Sequence, residues 1–216
     1  MTTAHLETRD REPFGSFMLY HLLKWPVVNP LLRLYFCGRI YGAEHVPAQG
    51  AFVAVSNHAS YADPPLLSCA IGRPVAFMAK EELFTNPLLR EAIQLYGAYP
   101  VRREKADRHA IKTALTMLEQ GWSTGVFLTG TRTPDGTITK PKTGAALLAA
   151  KAGVPLLPIS LWGTQNILRG GFPRPAPVTI RIGEPIAPPT STTHSELDRV
   201  TQLCADRITE LHNLGR

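Results

Sequence analysis

The chain has 216 residues, and its 23 lysines and arginines outnumber its 17 aspartates and glutamates, which gives a formal net charge of +6. This length predicts one domain with a substantial core, and the basic charge favours anionic partners such as phosphates, acidic lipid surfaces, acidic carrier proteins or nucleic acid. No basic tract or basic–aromatic repeat singles out nucleic acid. The three cysteines are odd in number, widely spaced and without metal-ligand spacing, so a reduced, cytoplasmic setting fits best.

Residues 14–41 form an unusual N-terminal segment that is rich in aromatic and aliphatic side chains. Charged, polar and proline residues interrupt it, so no uncharged run of about 18 residues remains to span a bilayer. We expect two short amphipathic helices, broken at Pro26 and Pro30, that lie in the membrane interface. The basic residues that would face anionic head groups are Lys24, Arg33 and Arg39. The alternative is a helical hairpin that only packs on the domain.

A predicted strand, turn and helix in succession form the centre of the candidate site. Ala51 to Val55 is an apolar run long enough for one buried strand, and Asp63 followed by Pro64 is typical of a helix start, with an acidic N-cap before proline. His58 is therefore expected at the end of a strand, where ligands bind in open α/β sheets. A histidine oriented by an aspartate is a general base with a fixed tautomer, and the alternative is a buried structural pair.

From residue 74 the chain alternates between predicted strands and helices. The predicted strands are Val75–Ala79, Tyr99–Val101, Gly125–Leu128, Val154–Leu161 and Val178–Ile182. Predicted helices begin at Asn86, at Asp107 and after Gly144, and end at Gly97, Gly121 and Gly153. The earlier short helix over residues 66–71 is predicted to end at Gly72. In the last helix we expect a capping box of Thr193 and Glu196 and an apolar stripe of Leu197, Val200, Leu203, Ile208 and Leu211.

The predicted fold class is therefore α/β. We expect a single domain over residues 46–216, with a mixed, largely parallel central sheet flanked by helices. Residues 1–45 would precede it as an amphipathic helical arm at the membrane interface.

Basic and hydroxyl side chains recur where successive predicted strands end or a helix begins. They are Arg102, Arg103, Thr129, Thr131, Arg132 and Lys142, with Gly130 among them. A helix N-terminus, a glycine that permits close backbone approach and several basic side chains make a phosphate site. Each charge alone is more commonly a solvated surface residue, so the prediction depends on their recurrence beside the His58–Asp63 pair.

Four blocks in order carry a family resemblance. Asn57-His58 through Asp63 matches Asn-His-x4-Asp, and residues 97–103 match Gly-x-x-Pro-Val-x-Arg, with Arg103 at the family arginine. Residues 127–132 lie at a block that usually reads Phe-Pro-Glu-Gly-Thr-Arg, and residues 154–159 match the fourth. The chain therefore resembles the 1-acylglycerol-3-phosphate acyltransferases, also called lysophosphatidic acid acyltransferases, in their bacterial form.

The resemblance implies acyl transfer from an acyl thioester, on acyl carrier protein or coenzyme A, to the free hydroxyl of 1-acyl-glycerol-3-phosphate, which gives phosphatidic acid. His58 would remove the hydroxyl proton, and Asp63 would orient the imidazole. The acceptor and its phosphate would be held by Arg103, Thr129, Gly130, Thr131, Arg132 and Lys142. No metal, other cofactor or nucleic acid is implied. The enzyme would be peripheral or monotopic, at the cytoplasmic face of a membrane that supplies its lipids.

The third block departs from the family pattern, because Leu128 replaces the usual proline and Thr129 the usual glutamate. In the family that glutamate helps to position the acceptor. A lost hydrogen bond to a charged group costs about 1.5–3 kcal/mol, or roughly ten- to a hundredfold in affinity. The change leaves open a different lysolipid or glycolipid acceptor, and also a non-catalytic lipid-binding relative.

Overall fold

The computed structural model describes residues 18, 20–22, 24–87, 90, 93, 98–101, 108–167 and 174–216. Within these ranges seven strands form one sheet, in the order β1-β7-β6-β2-β5-β3-β4. Their bounds are β1 Arg39–Tyr41, β2 Val53–Ser56, β3 Val75–Lys80, β4 Ala98–Val101, β5 Ser123–Phe127, β6 Leu156–Trp162 and β7 Thr179–Ile182.

The sheet is mixed and largely parallel, as predicted. Strands β6 and β7 are antiparallel, and the other described neighbours are parallel. Strand β2 lies between β5 and β6, and all four of its residues are buried. Because β2 to β6 run in the same direction, their C-terminal ends lie at one edge of the sheet. The turn after β2 therefore opens at the centre of that edge, where α/β proteins bind ligands.

Helices cover both faces of the sheet. Their bounds are α1 Asp63–Ile71, α2 Arg108–Glu119, α3 Gly144–Ala152 and α4 His194–Asn213. Helix α1 packs with the N-terminal segment on one face, and α2, α3 and α4 pack together on the other. Alternation along β2 feeds both layers, since Ala54 belongs to the first core and Val53 and Val55 to the second.

Two predicted helix ends are confirmed by the backbone. Gly72 ends α1 with a φ of 79°, and Gly153 ends α3 with a φ of 66°. Both lie in the left-handed region, which glycine adopts without a steric penalty. The helix predicted from residue 86 to 97 lies largely outside the described residues, as does Asp107.

The predicted capping box of α4 is wrong. The Thr193 side chain makes no capping hydrogen bond. The Glu196 carboxylate instead accepts hydrogen bonds from the backbone N–H and hydroxyl of Thr190, and it pairs with Arg199. These donors lower the pKa of Glu196 to about 2. The chain bends back before the helix, so Thr190 reaches the carboxylate in place of the residue that the spacing predicts.

The predicted apolar stripe of α4 is wrong at one position. Leu203 is 40% exposed, whereas Cys204 is fully buried. The buried residues of the helix are Leu197, Val200, Thr201, Cys204, Ala205 and Ile208. Leu203 is six residues after Leu197, which at about 100° per residue turns it away from this face.

The N-terminal segment is helical, but it is not broken at its prolines. The helical backbone continues through Pro26, which lies in the π-helical turn Lys24–Val28, and through Pro30, which directly precedes the π-helical turn Leu31–Tyr35. A wider turn relieves the clash between a proline ring and the carbonyl one turn earlier. The strand β1 follows directly and pairs with β7 at the sheet edge. The division at residue 45 therefore stays a prediction.

One side of this segment is packed on the domain. The Tyr20 hydroxyl donates to the carbonyl oxygen of Ser68 in α1 at 2.5 Å, and Leu32 and Phe36 are buried. The other side exposes large apolar side chains, namely Met18, Leu22, Trp25, Val27, Leu31, Leu34 and Tyr35. Among the described residues, no helix combines the length and apolarity that crossing a membrane requires.

Gly125 in β5 should be sensitive to substitution. Its register partner in β3 is Phe77, and a Cβ added at Gly125 would overlap the Phe77 ring. We expect Gly125→Ala to lower the free energy of unfolding by about 1–3 kcal/mol, as overpacking does in other cores. Urea denaturation measures this difference. Gly144→Ala is the matched control, because its Cβ meets nothing within 4 Å. Equal loss in both variants, or none in either, would contradict the expectation.

Candidate active site

His58 and Asp63 are in direct contact at the C-terminal edge of the sheet. His58 follows β2 after Asn57, and Asp63 is the first residue of α1. His58 Nδ1 lies 2.7 Å from Asp63 Oδ2, and both residues are buried. An ionised carboxylate only accepts hydrogen bonds, so Nδ1 carries the hydrogen and Nε2 is left to accept a proton.

The Asp63 carboxylate is held by the turn that it closes. Oδ2 also accepts the backbone N–H groups of Ala59 at 2.7 Å and Ser60 at 2.8 Å. Three donors on one oxygen offset the cost of burying the charge. Asp63 is therefore not the N-cap that the sequence predicts, since its side chain reaches back to the preceding turn and Ala62 occupies the cap position.

Two phenylalanine rings are stacked on one face of the His58 imidazole. The His58 ring lies on the Phe127 ring with centroids 3.9 Å apart and planes 12° apart, and Phe127 stacks in turn on Phe77 at 5.9 Å. Phe127 ends β5, and its register partner is Ser56 at the end of β2. The pairing of β2 with β5 thus brings Phe127 beside the His58 imidazole. The sequence identified Phe127 only as part of a block.

Asn57 continues the pairing of β2 with β6 beyond the end of β2. Its Nδ2 donates to the Leu161 carbonyl oxygen at 2.9 Å, and its Oδ1 accepts the Leu161 N–H at 2.8 Å. The fully buried side chain therefore replaces a backbone partner and fixes where the turn that carries His58 begins. Position in a block was its only signal in the sequence.

The loop after β5 lies against the same turn. The Thr133 N–H donates to the His58 carbonyl oxygen at 2.8 Å. Gly130 has a φ of 70°, and a Cβ there would lie 2.9 Å from Lys142 Nζ. The left-handed backbone favours glycine here, and the Lys142 side chain lies over it. The structure brings Gly130 and Lys142 together, as the predicted phosphate site needs.

Thr129 and Arg132, which were predicted to bind the acceptor, both make hydrogen bonds within the protein. The Thr129 hydroxyl donates to the Thr131 carbonyl oxygen at 2.5 Å, so it is used within the loop. Arg132 Nη2 donates to the Tyr61 hydroxyl at 2.8 Å, which brings Arg132 to the turn that carries His58. Arg103 lies outside the described residues, as does Arg102. Both follow β4, which ends at the same edge of the sheet but is separated from β2 by β5 and β3.

The C-terminal end of α4 lies against β6 and against the loop after β5. His212 Nδ1 lies 3.3 Å from Ser160 Oγ in β6, and a Cβ at Gly136 would lie 3.4 Å from His212 Cε1. Burial lowers the pKa of His212, and the nearby Asp135 carboxylate opposes that effect. The sequence did not indicate this contact, because His212 is 52 residues from Ser160.

This geometry places a buried histidine, paired with a carboxylate, at the ligand-binding edge of an α/β sheet. A model of the acyltransferase family matches residues 37–162, which is more than half of the chain. The chain belongs to the acyltransferase family. The match includes the His58–Asp63 pair, all of strand β6 and the loop that follows β5.

Two curated relatives carry a more specific name. The chain is 34% identical over 135 residues to a chloroplastic 1-acyl-sn-glycerol-3-phosphate acyltransferase of Brassica napus, across 61% of this chain and 39% of that protein. It is 29% identical over 182 residues to the 1-acyl-sn-glycerol-3-phosphate acyltransferase of Bacillus subtilis, across 81% of this chain and 88% of that protein. The chain thus spans about two fifths of the length of the plant relative.

A solved structure has the same fold. The crystal structure of the 1-acyl-sn-glycerophosphate acyltransferase from Thermotoga maritima matches with a TM-score of 0.74 and 29% identity, covering 89% of this chain and 79% of that one. The predicted fold class and the predicted family resemblance are both confirmed.

Proposed function

We propose that the protein transfers a fatty acyl group from an acyl thioester to the free hydroxyl of 1-acyl-glycerol-3-phosphate, which gives phosphatidic acid. The observation that carries the proposal is the His58–Asp63 contact of 2.7 Å at the sheet edge, which leaves Nε2 as a proton acceptor. The names of the Brassica, Bacillus and Thermotoga relatives support the choice of acceptor.

In the proposed reaction, His58 Nε2 takes the proton of the acceptor hydroxyl as its oxygen attacks the thioester carbonyl carbon. The new ester C–O bond forms, the C–S bond breaks, and the thiolate leaves with the proton from the imidazolium. Asp63 stabilises the imidazolium between these steps. A positioned general base contributes roughly 10²- to 10⁴-fold. Backbone N–H groups near Gly130 would stabilise the oxyanion, and acyl carrier protein or coenzyme A would carry the acyl group.

The acceptor phosphate would be bound by the basic side chains at the same edge. Arg132 reaches the turn that carries His58, and Lys142 covers Gly130. Arg103 would supply a third positive charge, with Thr131 beside Arg132. Arginine and lysine form strong charge-assisted hydrogen bonds to phosphate oxygens.

A second candidate is the same chemistry on another lysolipid or on a glycolipid. Its motive is Thr129, whose hydroxyl is engaged by the Thr131 carbonyl and supplies no negative charge. A non-catalytic lipid-binding role has the same motive. The intact His58–Asp63 contact favours an enzyme over that role.

The N-terminal segment would hold the enzyme on the cytoplasmic face of a membrane as a peripheral or monotopic protein. Its exposed apolar side chains would enter the lipid, and its packed side would keep the active site near the surface. The net charge of +6 would favour anionic lipids and an acidic carrier protein.

His58→Ala should reduce acyl transfer by about 10²- to 10⁴-fold, because the general base is lost. Transfer from labelled acyl-CoA and acyl carrier protein to lysophosphatidic acid in detergent micelles measures this. The matched control is His194→Ala, which removes an exposed histidine that pairs with Asp198 in α4 at 3.3 Å. Equal activity of His58→Ala and wild type would exclude the proposed base.

Thr129→Glu should increase transfer to lysophosphatidic acid roughly tenfold or more, because a restored charge-assisted hydrogen bond is worth about 1.5–3 kcal/mol. A panel of lysolipids and a glycolipid, run beside Thr193→Glu as an exposed threonine control, measures the effect. If Thr129→Glu instead lowers transfer to an acceptor that the wild type prefers, the second candidate is favoured.

Leu34→Asp should weaken binding to anionic vesicles by roughly tenfold or more, because a buried leucine contributes about 1.5–3 kcal/mol. Leu34 is 80% exposed in the N-terminal segment. Vesicle co-sedimentation measures the binding. Leu203→Asp, at the exposed leucine of α4, is the control. Equal effects at both positions would contradict a membrane-binding role for the segment.

A further inference from the structure

The turn between His58 and Asp63 carries an exposed tyrosine that pairs with an arginine of the loop after β5. Arg132 Cζ lies 3.5 Å from the centroid of the Tyr61 ring, and Nη2 donates to the Tyr61 hydroxyl at 2.8 Å. Tyr61 is 66% exposed, so the pair is not part of the core. The two residues are 71 positions apart in the chain. Only the folded turn and loop bring them together.

Both residues of the pair are close in the chain to groups that contact His58, Tyr61 in the turn and Arg132 in the loop after β5. The Thr133 N–H, one residue after Arg132, donates to the His58 carbonyl oxygen at 2.8 Å. Tyr61 is two residues before Asp63, which holds the imidazole. The turn and the loop are thus joined at His58 itself. A ligand that presents its hydroxyl to His58 would have the Tyr61–Arg132 pair within reach of its polar head.

The chemistry of the pair favours an anion. A phenol has one hydrogen to donate and two lone pairs to accept, and Arg132 uses one of those lone pairs. In the part of the chain that the structure describes, no acceptor takes the Tyr61 hydrogen, and the adjacent cation polarises it. The stacked guanidinium retains further N–H donors, and the structure gives Arg132 no acidic partner among the described residues. Both groups can donate to one phosphate.

We propose that Tyr61 is a phosphate-binding residue of the acceptor site. Its ring holds the Arg132 guanidinium in place, and its hydroxyl donates a hydrogen bond to the phosphate that Arg132 also binds. The proposal deepens the proposed function, on which it rests, by assigning the discrimination between a phosphorylated acceptor and a neutral one to this pair.

Tyr61→Phe keeps the ring and removes the hydroxyl. We expect it to weaken the binding of lysophosphatidic acid about tenfold, since hydrogen bonds to charged groups are worth that much or more. Tyr61→Leu should weaken it a further two- to fivefold, because the contact between the cation and the ring is also lost. Binding of a monoacylglycerol with the same acyl chain should not change, because it has no phosphate. The KM for lysophosphatidic acid should rise and kcat should change little.

The test is equilibrium binding of lysophosphatidic acid and monoacylglycerol to the full chain in detergent micelles. Tyr41 is the matched control, because Arg181 Cζ lies 4.8 Å from the Tyr41 ring centroid and Tyr41 is 46% exposed. Tyr41→Phe and Tyr41→Leu should leave both affinities unchanged. Loss of phosphate preference in the Tyr61 variants alone supports the proposal.

Three outcomes would overturn it. They are an unchanged preference in Tyr61→Phe and Tyr61→Leu, an equal loss for both lipids, and a wild type with no preference for the phosphorylated lipid. An equal loss for both lipids would show that Tyr61 only supports the fold. If Tyr61→Leu is unstable, the binding of the two lipids can still be compared in Tyr61→Phe. Acyl transfer is measured separately. Phosphate-selective binding without acyl transfer would contradict the proposed function but would still support the role of Tyr61 in phosphate binding.

A double-mutant cycle tests whether the two residues act together. If the Tyr61 ring positions Arg132, the combined loss in Tyr61→Leu/Arg132→Leu should be smaller than the product of the two single losses. Independent effects would multiply, and that result would remove the positioning part of the proposal.

Discussion

One oxygen atom, Asp63 Oδ2, determines the geometry on which the site depends. It accepts hydrogen bonds from the imidazole of His58 and from two backbone N–H groups of the turn between them. The same contacts that stabilise a buried carboxylate therefore shape the turn and fix the tautomer of the histidine. A change in the turn would therefore also change the orientation of the imidazole.

The sheet supplies what this turn cannot provide for itself. Because β2 lies between β5 and β6, the turn after β2 has a neighbour on each side. Phe127 from β5 stacks on the imidazole, and Leu161 in β6 pairs with the Asn57 side chain. A central parallel strand thus gives His58 a rigid support. The N-terminal segment, in contrast, has one side packed on the domain and one exposed apolar side.

Local patterns identified most of the architecture. The alternation of apolar runs and helix signals predicted six of the seven described strands and the largely parallel character of the sheet, and glycines marked the ends of α1 and α3. Strand β1 was missed, because residues 39–41 lie within the predicted helical arm. The errors have local causes. Thr193 and Glu196 have the spacing of a capping box, but Thr190 bends back to take the carboxylate. Proline ordinarily breaks a helix, but a π-helical turn accommodates Pro26.

The sequence by itself determined the His58–Asp63 contact and the family, because both depend on residues a few positions apart and on blocks in a set order. The tertiary structure alone decided the partners of that contact. Phe127 is 69 positions from His58 in the chain. Leu161 is 104 positions from Asn57, and Arg132 is 71 positions from Tyr61. Strand order and register bring such residues together, and no local pattern of hydrophobicity or turn chemistry encodes them.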